Sequence, residues 1–249
     1  MRPNRTAEFL ASVPLFQHLA HAELQAFGAL SRELRFPRGA LIVRQGDPGD
    51  ALYVVRAGAV KVAVSGDDGR EVILDTLGVG DHFGELALLD GGPRSAHVVA
   101  TEPTILYVLR RDDFRREVER RPNVAWALLV ELSRRLREAD AKITGLVLLD
   151  VPGRVARLLL DRAEGTPPVV ARAPTHEMMA QMIGASRETV SRAMSELQRS
   201  GLIQAERRTI TVLDPEALAK RAQPGAGAGA KMPNAARGAE VNGDTDQPS

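Results

Sequence analysis

The chain has no cysteine. That excludes disulfides, thiol catalysis, thiolate-held iron–sulfur clusters and cysteine zinc sites, and it suits a reducing compartment. Aromatic residues are scarce, at 4%, so packing must rest on leucine, valine and alanine. A strong charge of either sign is also missing, because 33 basic and 32 acidic residues leave a net charge of +1. Bulk charge therefore offers no pull toward nucleic acid, and any such contact must come from local arrangement. No apolar run reaches the roughly 18–20 residues that a membrane span needs. Met1-Arg2-Pro3-Asn4-Arg5 leads into no apolar stretch of signal-peptide type. The expectation is a cytoplasmic protein with no membrane partner. What remains is ordinary globular material of 249 residues, 44% hydrophobic and 26% charged, enough for one or two domains.

The texture changes three times along the chain. From about Ala7 to Arg32, Leu24, Phe27 and Leu30 recur at helical spacing, with Pro14 as an interruption. From Leu34 to about Leu109, short apolar runs alternate with glycines. Val60, Val62 and Val64 are expected on one face of a strand, opposite Lys61 and Ser65, and Asp67-Asp68-Gly69 reads as a hairpin turn. Short strands with turn residues between them predict an antiparallel sandwich or barrel. A helix follows Asp112 and is broken by Pro122. A long helix then covers about Asn123–Leu148. Its Leu129, Leu132, Leu136, Ala139, Ile143 and Leu146 step by three and four, the seam of a two-stranded coiled coil and hence of a homodimer. A helix packed on its own domain would show a similar stripe. Asp150-Val151-Pro152 is a capped helix start. Helices are expected at Val151–Ala163, Thr175–Ile183 and Arg187–Ser200, and strands at Leu202–Ala205 and Thr209–Leu213. From Gln223 the chain is rich in glycine, alanine and proline, and a disordered tail is expected. The domains implied are 7–121, a β domain; 122–149, a pairing helix; 150–222, a helical domain; and 223–249, the tail.

Thr175 to Arg199 carries the first functional signal. One amphipathic helix ends near Gly184, which can adopt the left-handed conformation that turns the chain. Ser186 caps a second helix. Met179, Met182, Ile183, Val190, Met194 and Leu197 can face inward, leaving Arg187, Glu188, Thr189, Ser191 and Arg192 exposed at the second helix's start. In a helix-turn-helix this end enters the major groove. Arginine can donate twice to guanine, and glutamate can accept from cytosine N4. Ser186 and Thr189 can reach phosphates, helped by the helix N-terminus. Arg207 and Arg208 lie on a hairpin that would form a wing over the backbone. A helix pair used for protein contact is the alternative.

Phe83 to Ala96 carries the second signal. A strand, Gly84, a short helical turn and a glycine-rich return make a cradle whose backbone amides can hold an anion. Arg94 adds a permanent fork-shaped charge, Ser95 a hydroxyl, and Glu85 an acceptor for a sugar hydroxyl. No metal-ligand spacing links His18, His21, His82, His97 and His176. With no Walker loop and no G-x-S-x-G, there is no enzymatic signal.

The segment Gly184-Ala185-Ser186-Arg187-Glu188-Thr189-Val190-Ser191-Arg192 resembles the winged helix-turn-helix of the CRP/FNR regulators, the cyclic AMP receptor protein family. Phe83–Ala96 resembles the phosphate-binding cassette of cyclic nucleotide-binding domains, and Arg44–Val55 with Gly58 is similar to that family's β-roll. The resemblance covers about Leu10 to Leu213. It implies an α+β fold: an N-terminal antiparallel β-roll, a long dimerisation helix and a C-terminal winged helix-turn-helix. It implies a ligand-gated transcription regulator whose partners are double-stranded DNA, a second copy of the chain and RNA polymerase. In that family the residues matching Arg187, Glu188 and Arg192 read a TGTGA-like half-site, with Thr175, His176, Ser186, Thr189 and Arg208 as further DNA contacts. Gly84, Leu86 and Ser95 would line a cyclic nucleotide's phosphate, Arg94 would pair with it, and Glu85 would take the ribose 2′-hydroxyl. No cofactor is implied; the effector would be cyclic AMP. Two departures stand out. His176 replaces a phosphate-contacting arginine. Ala139 and Asp140 replace two hydroxyl residues that meet the base. Asp140, an acceptor when ionised, could take two protons from guanine, which keeps cyclic GMP open beside cyclic AMP.

Overall fold

The computed structural model describes residues 5–66 and 68–225. Asp67 of the expected hairpin turn, and the expected tail from residue 226 on, lie outside the described residues. Helices α1 (Arg5–Leu10) and α2 (His21–Leu30) come first. Strands β1 (Arg32–Phe36), β2 (Leu41–Val43), β3 (Ala51–Ala57), β4 (Val60–Ser65), β5 (Glu71–Leu77) and β6 (His82–Phe83) follow. The short helix α3 (Glu85–Asp90) separates β6 from β7 (His97–Ala100) and β8 (Thr104–Arg110). The strands form two four-stranded antiparallel sheets, ordered β1-β8-β3-β6 and β2-β7-β4-β5.

The strand period of two sorts the apolar residues into two cores. Tyr53 and Val55 of β3, with Leu106 and Val108 of β8, point between the sheets toward Val43, Val60, Leu77, Phe83 and Val98. Their neighbours Leu52, Val54, Tyr107 and Leu109 point outward and pack on Phe16, Phe27, Phe114, Val124 and Leu128. A central strand pair apolar on both faces thus requires helices on its outer side. These are α1, α2, α4 (Arg111–Arg120) and the start of α5 (Pro122–Leu148). Proline at the first position of α5 costs no hydrogen bond there. The 27 residues of α5 extend about 40 Å at 1.5 Å each, and Lys142 near its far end still reaches the Leu74 carbonyl of β5.

One expectation needs correction. Val60, Val62 and Val64 do not share a buried face: the register slips between Val62 and Ala63, so Ala63 is buried and Val64 only half-buried. A β-bulge adds one residue to one strand and reverses the alternation beyond it.

The C-terminal unit comprises α6 (Val151–Leu160), β9 (Val169–Val170), α7 (His176–Ile183), α8 (Arg187–Arg199), β10 (Ile203–Glu206), β11 (Thr209–Val212) and α9 (Pro215–Arg221). Helix α6 stops short of Ala163, and β9 and α9 add elements that periodicity did not show. The strands form one sheet, β10-β11-β9. Helix starts are fixed locally: Asp150, Thr175, Ser186 and Asp214 accept from the amides of Gly153, Met178, Thr189 and Ala217. Gly184 ends α7 with φ of 62°. Val155, Leu159, Met179, Val190, Met194, Leu197, Ile210 and Leu218 form the core.

Asp150 stands between α5 and α6 and does more than cap. Arg221, at the end of α9, donates to its two oxygens at 2.8 and 2.7 Å. An added Cβ at Gly153 would lie 3.0 Å from both the Arg221 carbonyl and Asp150 Oδ1, so glycine lets α9 close on the hinge. The hydrogen bond from Arg221 is the main reason the Asp150 carboxyl sits below its ordinary 3.8. A lowered carboxylate pKa gives stability that is present above the unfolded value and lost as pH falls through the folded one. Arg221→Ala should therefore destabilise the C-terminal unit by about 1 kcal/mol at pH 7, the upper end for a partly exposed pair. Urea unfolding should show the difference shrinking below pH 3.8. Equal midpoints at pH 7 would mean that apolar contact alone holds α9.

Candidate functional site

The cassette after β6 is built around a tight backbone approach. Gly84 precedes α3 with φ of 89°. A Cβ there would fall 2.5 Å from Arg94 Nη1 and 2.8 Å from the Ala51 carbonyl oxygen, so only glycine fits. No side chain caps the start of α3.

Arg94 is 5% exposed. It donates from Nη1 to the Gly84 carbonyl and from Nη2 to the Ala51 carbonyl, both at 3.0 Å. Its guanidinium lies 5.4 Å from the ring centre of Tyr53, which stacks on Phe83 at 4.9 Å. Among the described residues no carboxylate forms an ion pair with it. A buried permanent cation met only by carbonyls and a ring is short of an anion.

Glu85 is 3% exposed. Its Oε1 accepts from Arg135 Nη1 at 2.8 Å, while Oε2 is buried without a partner. Burial pushes its pKa up, and Arg135 opposes the shift. Arg135 also donates to the His82 carbonyl at 2.7 Å and to Glu131 at 2.9 Å. Hydrogen bonds from Arg134 and then Arg135 hold Glu131 down at about 2, against the effect of burial. The His82 ring is buried, its Nε2 unpartnered. Burial, then Arg135, lowers its pKa to about 4, so it is neutral at pH 7.

Gly84, Glu85, Leu86, Arg94 and Ser95 line one cavity of about 180 Å³, together with Arg135 and apolar residues such as Val62, Leu74 and Phe83. Ala139 and Asp140 do not line it; both are exposed on α5. Sequence reading missed Arg135. Its signal was its place one helical turn before Ala139 on the same face.

The second site spans α7, α8 and the wing. Ser186 Oγ accepts from the Thr189 amide at 3.2 Å and bonds its hydroxyl at 3.0 Å, and Arg192 Nη2 donates to that hydroxyl at 3.1 Å. Three expected DNA contacts thus hold one another in place before any DNA arrives. The Glu188 carboxyl is kept below its ordinary range by its own backbone amide and then by Ser186, so it is ionised and only accepts. His176, Arg187, Glu188, Thr189 and Arg192 lie along one open concave surface, which Ser195 and Arg199 extend. Those last two, missed in the sequence reading, continue from Ser191 by steps of four. Thr175 caps α7 at the same end, and Arg208 Nε donates to the Ala173 carbonyl at 3.3 Å, fastening the wing to the loop leading into α7.

The family model for the cyclic nucleotide-binding domain matches residues 33–121, and that for the Crp-like helix-turn-helix domain matches residues 153–221. The CRP-like cAMP-activated global transcriptional regulator of Mycobacterium tuberculosis is 38% identical over 225 residues, covering 87% of this chain and 99% of its own. The chain belongs to the CRP-like family of transcription regulators. The cyclic AMP receptor protein of Thermus thermophilus is 38% identical over 206 residues, covering 82% and 94% of the two chains. Among solved structures, the Thermus thermophilus catabolite activator protein shares 37% identity over 84% of this chain and 98% of its own, with a TM-score of 0.51. The c-di-GMP-responsive global regulator CLP of Xanthomonas campestris shares 27% identity over 78% and 99%, with a TM-score of 0.68. The regulator therefore combines a cyclic nucleotide-binding domain, which contains the Arg94 cavity, with a DNA-binding helix-turn-helix, which contains α7 and α8.

The Glu85–Arg135 pair lends itself to a double-mutant cycle. Arg135→Ala would leave the buried Glu85 carboxylate uncompensated. A raised carboxylate pKa gives stability that is lost as pH rises through it. The variant should lose about 2 kcal/mol at pH 7 and recover toward pH 5, and Glu85→Gln should restore part of the loss. Unfolding midpoints of the four proteins at both pH values test this. Independent, additive losses would show that the pair is uncoupled.

Proposed function

We propose that this regulator works as a homodimer, paired along α5, that binds a cyclic nucleotide in each β-roll and then reads a palindromic TGTGA-like DNA site. The observation that carries the ligand half is Arg94, a buried cation with no anion partner, beside a buried Glu85 oxygen that lacks a hydrogen bond. A cyclic nucleotide supplies both groups: a phosphate for Arg94 and the α3 amides, and a ribose hydroxyl for Glu85. The cavity is small beside the 300–1,000 Å³ usual for small-molecule sites, so the base would project beyond it toward α5.

The dimer half rests on α5. Leu136 is 64% exposed, Ile143 60% and Val147 76%, an apolar stripe too regular and too wet for a helix end with no partner. Leu129 extends it. Leu132 is half-buried on its own β-roll core, and Leu146 approaches Gly184 of its own helix-turn-helix. The pairing seam proposed therefore runs through Leu129, Leu136, Ile143 and Val147, with Asp140 between. Asp140 would face both the partner helix and the base.

Cyclic AMP is the effector we favour, in line with the cAMP-activated mycobacterial relative. The acceptor-only chemistry of Asp140 favours cyclic GMP as the second reading. Binding would shift the population of dimer arrangements, and the hinge at Leu148–Pro152 would set two α8 helices one DNA turn apart. Lys142 donates to the Leu74 carbonyl at 2.8 Å, which ties that motion to β5. RNA polymerase as a partner and a cytoplasmic setting belong to the same reading. Among the described residues no helix is long and apolar enough to cross a membrane.

The deciding experiment is fluorescence anisotropy of a labelled TGTGA-type palindrome against excess random duplex, with protein alone, with cyclic AMP and with cyclic GMP. One nucleotide should tighten specific binding tenfold or more, about 1.4 kcal/mol of coupling, and Asp140→Ala should change the ratio of the two affinities. Tight specific binding indifferent to both would remove cyclic nucleotide gating, and an unchanged ratio would remove Asp140 from base recognition. Leu136→Asp should abolish dimers in sedimentation and specific DNA binding together. Tight operator binding by that monomer would contradict pairing along α5.

A further inference from the structure

Arg111 opens α4 and does not line the Arg94 cavity. Its side chain is half-buried. The Nη2 nitrogen donates to two carbonyls at once, that of Gly49 and, at 2.6 Å, that of Ala87 in α3. Its Nε is buried without a partner, a cost that an apolar side chain would not incur. Packing alone therefore gives no reason for an arginine here.

The two carbonyls belong to the two segments that flank Arg94. Residues 44–50 form a strap laid across the cassette. The Gly46 amide donates to the Arg94 carbonyl at 2.9 Å, and the Arg94 amide donates to the Asp47 carbonyl at 2.8 Å. Pro48 bridges to Pro93. Gly49 lies so close that an added Cβ would stand 2.9 Å from Arg94 Nε and overlap Ala87. Three consecutive carbonyls then run between two arginines. That of Gly49 accepts from Arg111 Nη2, that of Asp50 from the Arg111 amide at 2.7 Å, and that of Ala51 from Arg94 Nη2 at 3.0 Å. Arg111 thus holds the chain segment on which the Arg94 guanidinium rests, and through the Ala87 carbonyl it ties that segment to α3.

We propose that Arg111 is a positioning residue for the effector's phosphate: it fixes the strap and α3 so that the Arg94 fork keeps one orientation. The inference rests on the cyclic nucleotide reading and deepens it. A guanidinium fork matches two phosphate oxygens only at a set angle, and a displacement of about 1 Å is enough to spoil such geometry. Without Arg111 the strap and α3 lose the nitrogen that joins them. Affinity then falls, and so does the ability to tell the two exocyclic phosphate oxygens apart.

The full chain is titrated by calorimetry with cyclic AMP and cyclic GMP, and then with the Rp and Sp phosphorothioates of the tighter one, which differ only in which exocyclic oxygen is replaced by sulfur. Arg111→Met keeps the aliphatic stem and removes the donors. It should weaken binding about ten- to a hundredfold, the range found when outer partners that orient a metal ligand are removed, and bring the ratio of Rp to Sp affinities toward one. Arg111→Lys returns a donor to the same side chain and should recover part of both effects. Urea midpoints without nucleotide place the titrations where each variant is folded. Should Arg111→Met fail to fold, Arg111→Gln, too short to reach both carbonyls, carries the same two readouts. Unchanged affinity overturns the proposal. So does weaker binding with the wild-type ratio intact, which marks a general loosening of the β-roll, and so does a wild-type ratio of one, which leaves no oriented fork to protect. Wild-type protein that binds neither nucleotide sinks the nucleotide reading itself, and this inference falls with it.

Discussion

The ion pair between Glu85 and Arg135 is the contact on which the rest depends. It is the point where the anion cradle of the β-roll touches the long helix. Two charges taken largely out of water are costly unless each is fully matched, and this pair is only half matched. Arg135 spends its donors on Glu85, His82 and Glu131, whereas Glu85 keeps one buried oxygen unpartnered. A ligand that completes Glu85 and neutralises Arg94 would alter the field around Arg135, and with it the seat of α5. The neutral, buried His82 ring lies within the field of the same arginine.

The DNA-reading end is organised on the opposite principle. Its polar groups are exposed, and some already satisfy one another, as in the chain from Ser186 through Thr189 to Arg192. Little rotamer freedom then remains to be lost on meeting bases. Between the two ends stands the hinge, where one carboxylate, Asp150, caps α6 and holds the end of α9. The molecule thus places its incomplete electrostatics at the ligand site and its completed hydrogen bonds at the hinge and the recognition helix.

Much of both sites was legible because it is locally encoded. Gly84 and Gly184 mark left-handed turns, and Asp150, Thr175 and Ser186 mark helix starts, each through contacts within three or four residues. The recognition surface follows from helical spacing alone, including Ser195 and Arg199, which continue it. The long helix was legible in extent, but not in which face meets its own β-roll: Leu132 and Leu136 look alike as leucines at seam positions, and only packing on Val124, Leu128 and the outer face of β8 separates them.

The amino-acid sequence by itself determined the order of the elements, the cassette around Arg94 and Glu85, and the helix-turn-helix, because short-range periodicity and capping specify these. Only the tertiary structure decided that Arg135 meets Glu85 across 50 residues, that Arg221 meets Asp150 across 71, that a bulge puts Ala63 inward, and that Arg111 meets Gly49 across 62. Those contacts depend on ladder register and domain closure. Free energies of that kind are summed over the whole core, and no local spacing of residues records them.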